Sequence, residues 1–288
     1  MALPPLDDLS LPGDGVSLHA VRTGDRGGPA VILLHGFPEF WYGWRNQLGP
    51  LADAGFHVVA LDQRGYNTSD KPPHVRDYNL DRLADDVASV IAALGVDNAA
   101  VVGHDWGGIV AWWLAVTRPE RVRRLAILNA PHPAVMRRAL RTDPLQMLRS
   151  WYAFMMQIPG LPEWSFRWRN WDGMVRGLQN SSRPGTFTDN DFVHYRQAWS
   201  QPGAITAMIN WYRAAMRSPP VIPIDVRVHV PTLLLWGAKD KFIRRKYAEK
   251  SAAMCDDARL EVFEDATHWL QHEEAGRVNG RLIEFLRP

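Results

Sequence analysis

The sequence predicts an α/β fold, a mostly parallel sheet flanked by helices with a helical segment inserted into it. Three observations carry this. Short apolar runs alternate with amphipathic helical patterns up to about residue 130 and again after 222. A glycine-rich turn, Gly103-His104-Asp105-Trp106-Gly107-Gly108, joins one of these runs to a helix. After Ala130-Pro131 the alternation stops, and helical stretches broken by proline and glycine replace it.

The elements follow in order. Val16 to Arg22 alternates loosely, as an early antiparallel strand or pair does. Val31-Ile32-Leu33-Leu34 is a continuous apolar run of the buried parallel type, ending at His35-Gly36-Phe37-Pro38. A helix is expected from Trp44 to Asp53, stopped by Gly55, and a strand at Val58-Val59-Ala60-Leu61, ending at Asp62. Residues 80, 83, 87, 90, 91 and 94 are apolar, which marks an amphipathic helix closed by Gly95. The run Ala99-Ala100-Val101-Val102 leads through the glycine turn into a helical pattern at Ile109 to Ala115, and Leu125-Ala126-Ile127-Leu128 is a further strand.

From Met136 to Arg217 no parallel strand is evident. Six of the thirteen tryptophans fall there, at 151, 164, 168, 171, 199 and 211. Each reads as packing between this segment and the core, and together they suggest an aromatic-walled cleft. The strand–helix rhythm resumes at Thr232 to Gly237, continues through Leu260 to Phe263, and closes with a helix from Glu273 to Leu286. The division expected is a core in two parts, 1–130 and 223–288, with a helical cap at 131–222; 288 residues is near the limit for one core.

Composition narrows the class. A formal net charge of +2 and the lack of a long basic run do not favour nucleic acid. Arg137-Arg138 and Arg244-Arg245-Lys246 read as solvated faces. One cysteine, Cys255, excludes an intrachain disulfide framework. Met1 to Leu11 lacks the pattern of a signal peptide, and no apolar run is long enough to span a bilayer. A soluble, cytoplasmic protein is expected, with no cofactor and no metal; homo-oligomerisation stays open.

The turn at Asp105 points to the chemistry. A strand, a glycine-flanked turn and a helix form the nucleophile elbow of α/β-hydrolases, normally G-x-S-x-G. Here an aspartate stands at the nucleophile position. A serine attacking saturated carbon would leave an inert ether, whereas a carboxylate leaves an ester that water can cleave. Asp105 therefore suggests epoxides or alkyl halides as substrates. The fold orders its partners as nucleophile, acid, histidine, in loops after strands. Asp240 follows the strand ending near Trp236, and His268 follows the one ending at Phe263.

The competing residues fit other roles. His104 is expected behind the turn, His272 outward on the last helix, and His35 in a structural position. Asp256, Asp257 and Asp265 read as caps or solvated loop residues. Asn129 offers no carboxylate after Leu128, which favours Asp240. The oxyanion donors expected are the backbone N–H groups of Trp106 and Phe37. An epoxide oxygen also needs a proton donor. Tyrosine stays protonated at neutral pH, and the inserted segment offers Tyr152, Tyr195 and Tyr212.

Taken together, the chain resembles the epoxide hydrolases of the α/β-hydrolase superfamily over nearly its whole length. The resemblance rests on residues 35–45 (HGFPEFWYGWR), Asp62-Gln63-Arg64-Gly65-Tyr66, residues 103–108, Asn129-Ala130-Pro131-His132-Pro133, Asn210-Trp211-Tyr212-Arg213, Trp236-Gly237-Ala238-Lys239-Asp240 and Thr267-His268-Trp269. It implies that two tyrosines hold the epoxide oxygen: Tyr152, before Gln157-Ile158-Pro159-Gly160, and Tyr212, within Asn-Trp-Tyr-Arg. Tyr195 has no such match and reads as packing. Asn67 stands where the family commonly has glycine, and asparagine tolerates the left-handed conformation. The nearest rival is a haloalkane dehalogenase with the same nucleophile; a more distant one is a non-catalytic receptor. The substrate expected is a small apolar epoxide, with water as co-substrate.

Overall fold

The computed structural model describes residues 3–287. Eight strands form one sheet: β1 (Asp7–Pro12), β2 (Ser17–Gly24), β3 (Ala30–Leu34), β4 (His57–Leu61), β5 (Ala99–His104), β6 (Val122–Leu128), β7 (Thr232–Gly237) and β8 (Ala258–Phe263). Their order across the sheet is β1-β2-β4-β3-β5-β6-β7-β8. β2 pairs antiparallel with β1 and β4, and every pairing from β4 to β8 is parallel. The early antiparallel element is thus a pair, with β1 lying upstream of the stretch whose alternation was visible. Pro12 is tolerated because β1 is an edge strand.

Strand side chains alternate between the two faces. Ile32, Leu34, Val59, Val101 and Ile127 pack under α2 (Leu80–Ala93) and α3 (Trp106–Thr117). Val31, Leu33, Val58, Val102 and Leu128 pack on the other face, with Trp44 and Leu48 at the start of α1 (Arg45–Asp53) and Leu282 and Phe285 of α13 (Ala275–Leu286). α3 is apolar almost all round, as befits a helix buried against the centre of the sheet.

Between β6 and β7 the chain forms seven helices: α4 (Pro133–Thr142), α5 (Pro144–Arg149), α6 (Trp151–Met155), α7 (Leu161–Arg167), α8 (Asp172–Ser181), α9 (Asp189–Trp199) and α10 (Ala204–Arg217). Directed hydrogen bonds seat this insertion on the core. The Trp199 indole donates to Pro38 O at 2.6 Å, the Trp211 indole to Arg64 O at 3.0 Å, and Tyr195 Oη to Glu39 Oε1 at 2.6 Å. Trp171, Trp199 and Trp211 are buried, but Trp151, Trp164 and Trp168 are exposed. The packing role expected of all six therefore fits only half of them. After β7 come α11 (Lys246–Ala252) and, past β8, the short α12 (Leu270–Glu273) that leads into α13. Among the described residues no helix is long and apolar enough to cross a membrane.

The sheet's carboxyl edge is where backbones approach most closely. A Cβ on Gly107 would lie 2.2 Å from Leu34 O, and one on Gly237 would lie 1.9 Å from Thr267 O. These contacts lock α3 onto β3 and the segment around Thr267 onto β7. Gly107→Ala is expected to lose roughly 1–3 kcal/mol of stability or more, because the opposing group is backbone and cannot turn aside. Gly280→Ala, inside α13 with open space around it, should instead gain about 0.5–1 kcal/mol. Urea melts of the two variants beside the parent check both signs.

Candidate active site

Asp105 joins β5 to α3 with φ 51° and ψ −121°, outside the regions non-glycine residues ordinarily occupy. The neighbourhood enforces this geometry. A Cβ on Gly36 would fall 2.4 Å from Asp105 Cβ, and one on Gly103 would fall 2.4 Å from Gly107 O. The turn lifts the carboxylate above the sheet edge at the N-terminus of α3, where the helix dipole favours negative charge.

Asp105 Oδ1 accepts a hydrogen bond from Phe37 N at 3.0 Å. Its Oδ2 lies 3.4 Å from His268 Nε2, and the side chain keeps 19% of its surface accessible. On the far side of the ring, His268 Nδ1 lies 2.7 Å from Asp240 Oδ2. Burial pushes the His268 ring down, but Asp240 and Asp105 on its two sides outweigh it and lift its pKa to about 10. Burial likewise acts to raise the Asp105 carboxyl, and the adjacent His268 reverses this and holds it below the ordinary carboxylate range.

The structure thus brings Asp105, Asp240 and His268 together, and it adds supports that sequence reading missed. Asp240 is fully coordinated. Its Oδ2 also accepts from Asn129 Nδ2 at 2.6 Å, and its Oδ1 accepts from Phe242 N at 2.7 Å and Ile243 N at 2.9 Å. Asn129 in turn accepts from Gly237 N at 2.7 Å, at a left-handed φ of 45° that asparagine tolerates. Asn129, which offers no carboxylate of its own, is therefore the clamp on the one that is present.

His104 lies behind the turn, with Nε2 2.9 Å from His268 O. His272 does not face outward: its side chain is 1% exposed, with Nε2 2.8 Å from Glu39 Oε1. Glu39 gathers that ring, the Gln271 amide at 3.0 Å and the Tyr195 hydroxyl, and this buried carboxylate draws both rings inward. The pairing holds Glu39 well below its ordinary pKa despite burial. His35 is buried, accepting from Gln63 N at 3.2 Å, and Asp256 and Asp265 make exposed ion pairs.

A cleft of about 770 Å³ opens over Asp105 and His268. Its walls include Phe37, Tyr152, Met155, Phe166, Tyr212, Phe242 and Trp269. Of the six tryptophans in the inserted segment, Trp151 lines it; its aromatic wall is built mostly from phenylalanine and tyrosine. The Tyr152 and Tyr212 rings meet edge to face, 6.0 Å apart. Burial, reinforced by the Asp105 charge, raises both phenols above their ordinary range, so both keep their protons at neutral pH. Arg213 fixes their relative position. From α10 it donates to Met156 O at 3.0 Å and pairs with Glu163 at 2.6 Å, while Gln157 donates to Tyr212 O at 2.9 Å. Tyr195 lies elsewhere, under Glu39. Trp106 N opens α3 beside Asp105. Among the described residues no group of three or more His, Cys, Asp or Glu is arranged to hold a metal.

Asn129→Ala is expected to cost about 1–3 kcal/mol, the penalty of a buried acceptor losing its donor. It should slow turnover through a looser Asp240. Equilibrium unfolding and steady-state rates measured on one preparation check the two effects.

Comparison with known proteins gives this geometry a family. Residues 29–275 match the family model described as alpha/beta hydrolase fold. The AB hydrolase superfamily protein YfhM of Bacillus subtilis is 44% identical over 274 residues, covering 95% of this chain and 96% of that protein. Epoxide hydrolase 4 of Mus musculus is 38% identical over 279 residues, covering 95% of this chain and 77% of that one. The crystal structure of a Bacillus megaterium epoxide hydrolase with an inhibitor superposes with a TM-score of 0.86 at 29% identity, covering 97% and 99% of the two chains. The chain belongs to the epoxide hydrolases of the α/β-hydrolase superfamily.

Proposed function

We propose that the protein hydrolyses an apolar epoxide to a vicinal diol through an ester on Asp105. One observation carries this reading. A low-pKa carboxylate faces a cleft that also presents two protonated tyrosines, and a histidine–aspartate pair stands behind it. Residues 131–222 serve as the cap over this cleft. A cytoplasmic setting is part of the same reading.

In the first step Asp105 Oδ2 attacks one ring carbon. A new C–O bond forms as the ring C–O bond breaks, and the departing alkoxide takes a proton through Tyr152 and Tyr212. Oδ1, already held by Phe37 N–H, becomes the ester carbonyl oxygen. In the second step His268 takes a proton from water, and the hydroxide adds to the ester carbon. The oxyanion forms on Oδ1, which Phe37 N–H already holds, with Trp106 N–H assigned as the second donor. Collapse of this intermediate expels the diol alkoxide, which receives the proton back from His268; the acid proton left on Asp105 then passes to His268, which restores the resting carboxylate and imidazolium.

Electrostatics orders the two steps. In the resting enzyme His268 stands between two carboxylates with a pKa of about 10, so it is an imidazolium at neutral pH and no base. Esterification removes the charge on Asp105, and with it one of the groups that holds the proton. The ring pKa falls, its proton passes through solvent to the tyrosinate left by the first step, and the base appears only after the ester exists. A dehalogenase would not need the tyrosine pair, because halide leaves without a proton.

His268→Gln should alkylate and stall. Mass spectrometry of that variant with an aryl epoxide should find the substrate mass added at Asp105, and an unmodified protein would contradict the division of labour. In the parent, the rate of ester hydrolysis should rise with pH through an apparent pKa below about 10, read by single-turnover quench-flow. A midpoint at or above 10 would show that esterification does not release the proton.

Tyr152→Phe or Tyr212→Phe should each cost roughly 3–4 kcal/mol in the alkylation barrier, as for other donors to a developing oxyanion. The double variant should lose far more, with hydrolysis of a preformed ester unaffected. Epoxide turnover by the double variant within tenfold of the parent would remove the pair from the mechanism.

A further inference from the structure

We propose that the outer face of the helical insertion docks on an anionic lipid surface and presents the cleft to it. Most of the large apolar side chains that the described surface exposes fall between residues 145 and 168. They are ordered, not scattered. Trp151, Phe154 and Ile158 recur at helical spacing through α6 and the turn after it, exposed by 59%, 51% and 45%. Leu161, Trp164 and Trp168 repeat the pattern along α7, exposed by 44%, 58% and 52%, with the two indoles in edge contact at 4.9 Å. Two consecutive helical segments thus turn an apolar stripe to solvent, which a chain with a well-formed core has no folding reason to do. The stripe also reaches the site: Leu148 and Trp151 are exposed and line the cleft over Asp105.

The charges around the stripe select the occupant. Every exposed charged residue between 133 and 171 is an arginine: Arg137, Arg138, Arg141, Arg149, Arg167 and Arg169. The two carboxylates of this stretch are buried and committed, Asp143 to Arg244 and Glu163 to Arg213. None of the six arginines forms an ion pair among the described residues, and Arg149 donates to a backbone carbonyl, Asp240 O, at 3.2 Å. Elsewhere many surface arginines are paired, such as Arg22, Arg118, Arg227 and Arg281.

Exposed tryptophan, leucine and phenylalanine in a stretch whose exposed charges are all unpaired arginine match a bilayer interface with anionic headgroups. Apolar groups enter the acyl boundary there and guanidinium groups meet phosphate. A second copy of the chain fits poorly. A twofold contact would set these arginines against their own copies, with no exposed carboxylate in the stretch to answer them. A nucleic acid would satisfy the arginines but leave Leu148, Ile158 and Leu161 in water.

The test is flotation of the purified protein with vesicles of equal parts phosphatidylcholine and phosphatidylglycerol, beside pure phosphatidylcholine vesicles, at low and high salt. Binding should be at least tenfold tighter to the anionic vesicles, weaken with salt, and shift tryptophan emission to the blue. Arg167→Glu/Arg169→Glu and Trp164→Ser/Trp168→Ser should each weaken binding at least tenfold. Turnover of a water-soluble epoxide without vesicles should be unchanged, since none of these four residues lines the cleft. That assay tests the catalytic reading separately, so failure of either claim is distinguishable from failure of the other. The proposal is overturned by equal recovery with neutral vesicles, by undiminished binding of both variants, by tighter binding to single-stranded DNA, or by concentration-dependent dimerisation that the tryptophan variant abolishes.

Discussion

The close crossing of backbones at Asp105 is the constraint on which the rest depends. Three chain segments meet within the space of a single methyl group: the end of β3, the turn after β5 and the first turn of α3. Only glycine at 36, 103 and 107 lets them do so. The arrangement holds Asp105 in a backbone geometry costing of order 1–3 kcal/mol. The surrounding buried sheet, almost wholly apolar on both faces, supplies the rigidity that keeps the turn from relaxing. In return the carboxylate stands clear of the sheet edge, with one oxygen on Phe37 N–H and the other toward the cleft. A looser turn would let both oxygens find donors, and neither would be aimed at a substrate.

The second dependence is electrostatic. Two carboxylates and one imidazole lie buried or nearly so in a row, an arrangement that costs desolvation energy unless every lone pair is met. Asp240 meets this fully, with four donors on its two oxygens. Asp105 is left partly unmet on its cleft side, so the unsatisfied capacity of the row sits at the atom proposed to attack. Behind His268 the buried set His104, Gln271, Glu39 and His272 joins the loop of the histidine to Tyr195 of the insertion. The seating of the helices over the cleft and the position of the histidine loop therefore share one carboxylate, Glu39.

What the sequence revealed and what it hid divide along the range of the interactions. The strands from β3 onward, the turn at Asp105 and the loops holding Asp240 and His268 are written in short windows: an apolar run, then a glycine, then a polar residue at a strand end. β1 was missed because an edge strand with a proline and two acids has little local signature. His272 was read as solvent-facing because its partner Glu39 lies far away in sequence, and no pattern near either residue announces the pair. Asn129 and Arg213 act through contacts made after the chain has folded, so their motifs were visible but their tasks were not. The tryptophans of the insertion are the clearest case. Composition alone gives them all to packing, but three are buried and three face solvent.

That last division bears on how the insertion works. A helix in a two-layer fold needs one apolar face, and a second apolar face means a second apolar environment. α6 has both. Tyr152 and Met155 line the cleft, Phe154 on the other side is exposed, and Trp151 both lines the cleft and is exposed. The stripe continues along α7, whose Phe166 again lines the cleft while Trp164 stays outside. These short helices form a thin wall between two apolar spaces, the cleft over Asp105 and the solvent-facing surface outside. An apolar epoxide spends little of its time free in water. A wall wetted by hydrocarbon on both sides would let such a molecule pass from its reservoir to Asp105 without crossing bulk solvent, and the unpaired arginines of this stretch would hold the wall against that reservoir.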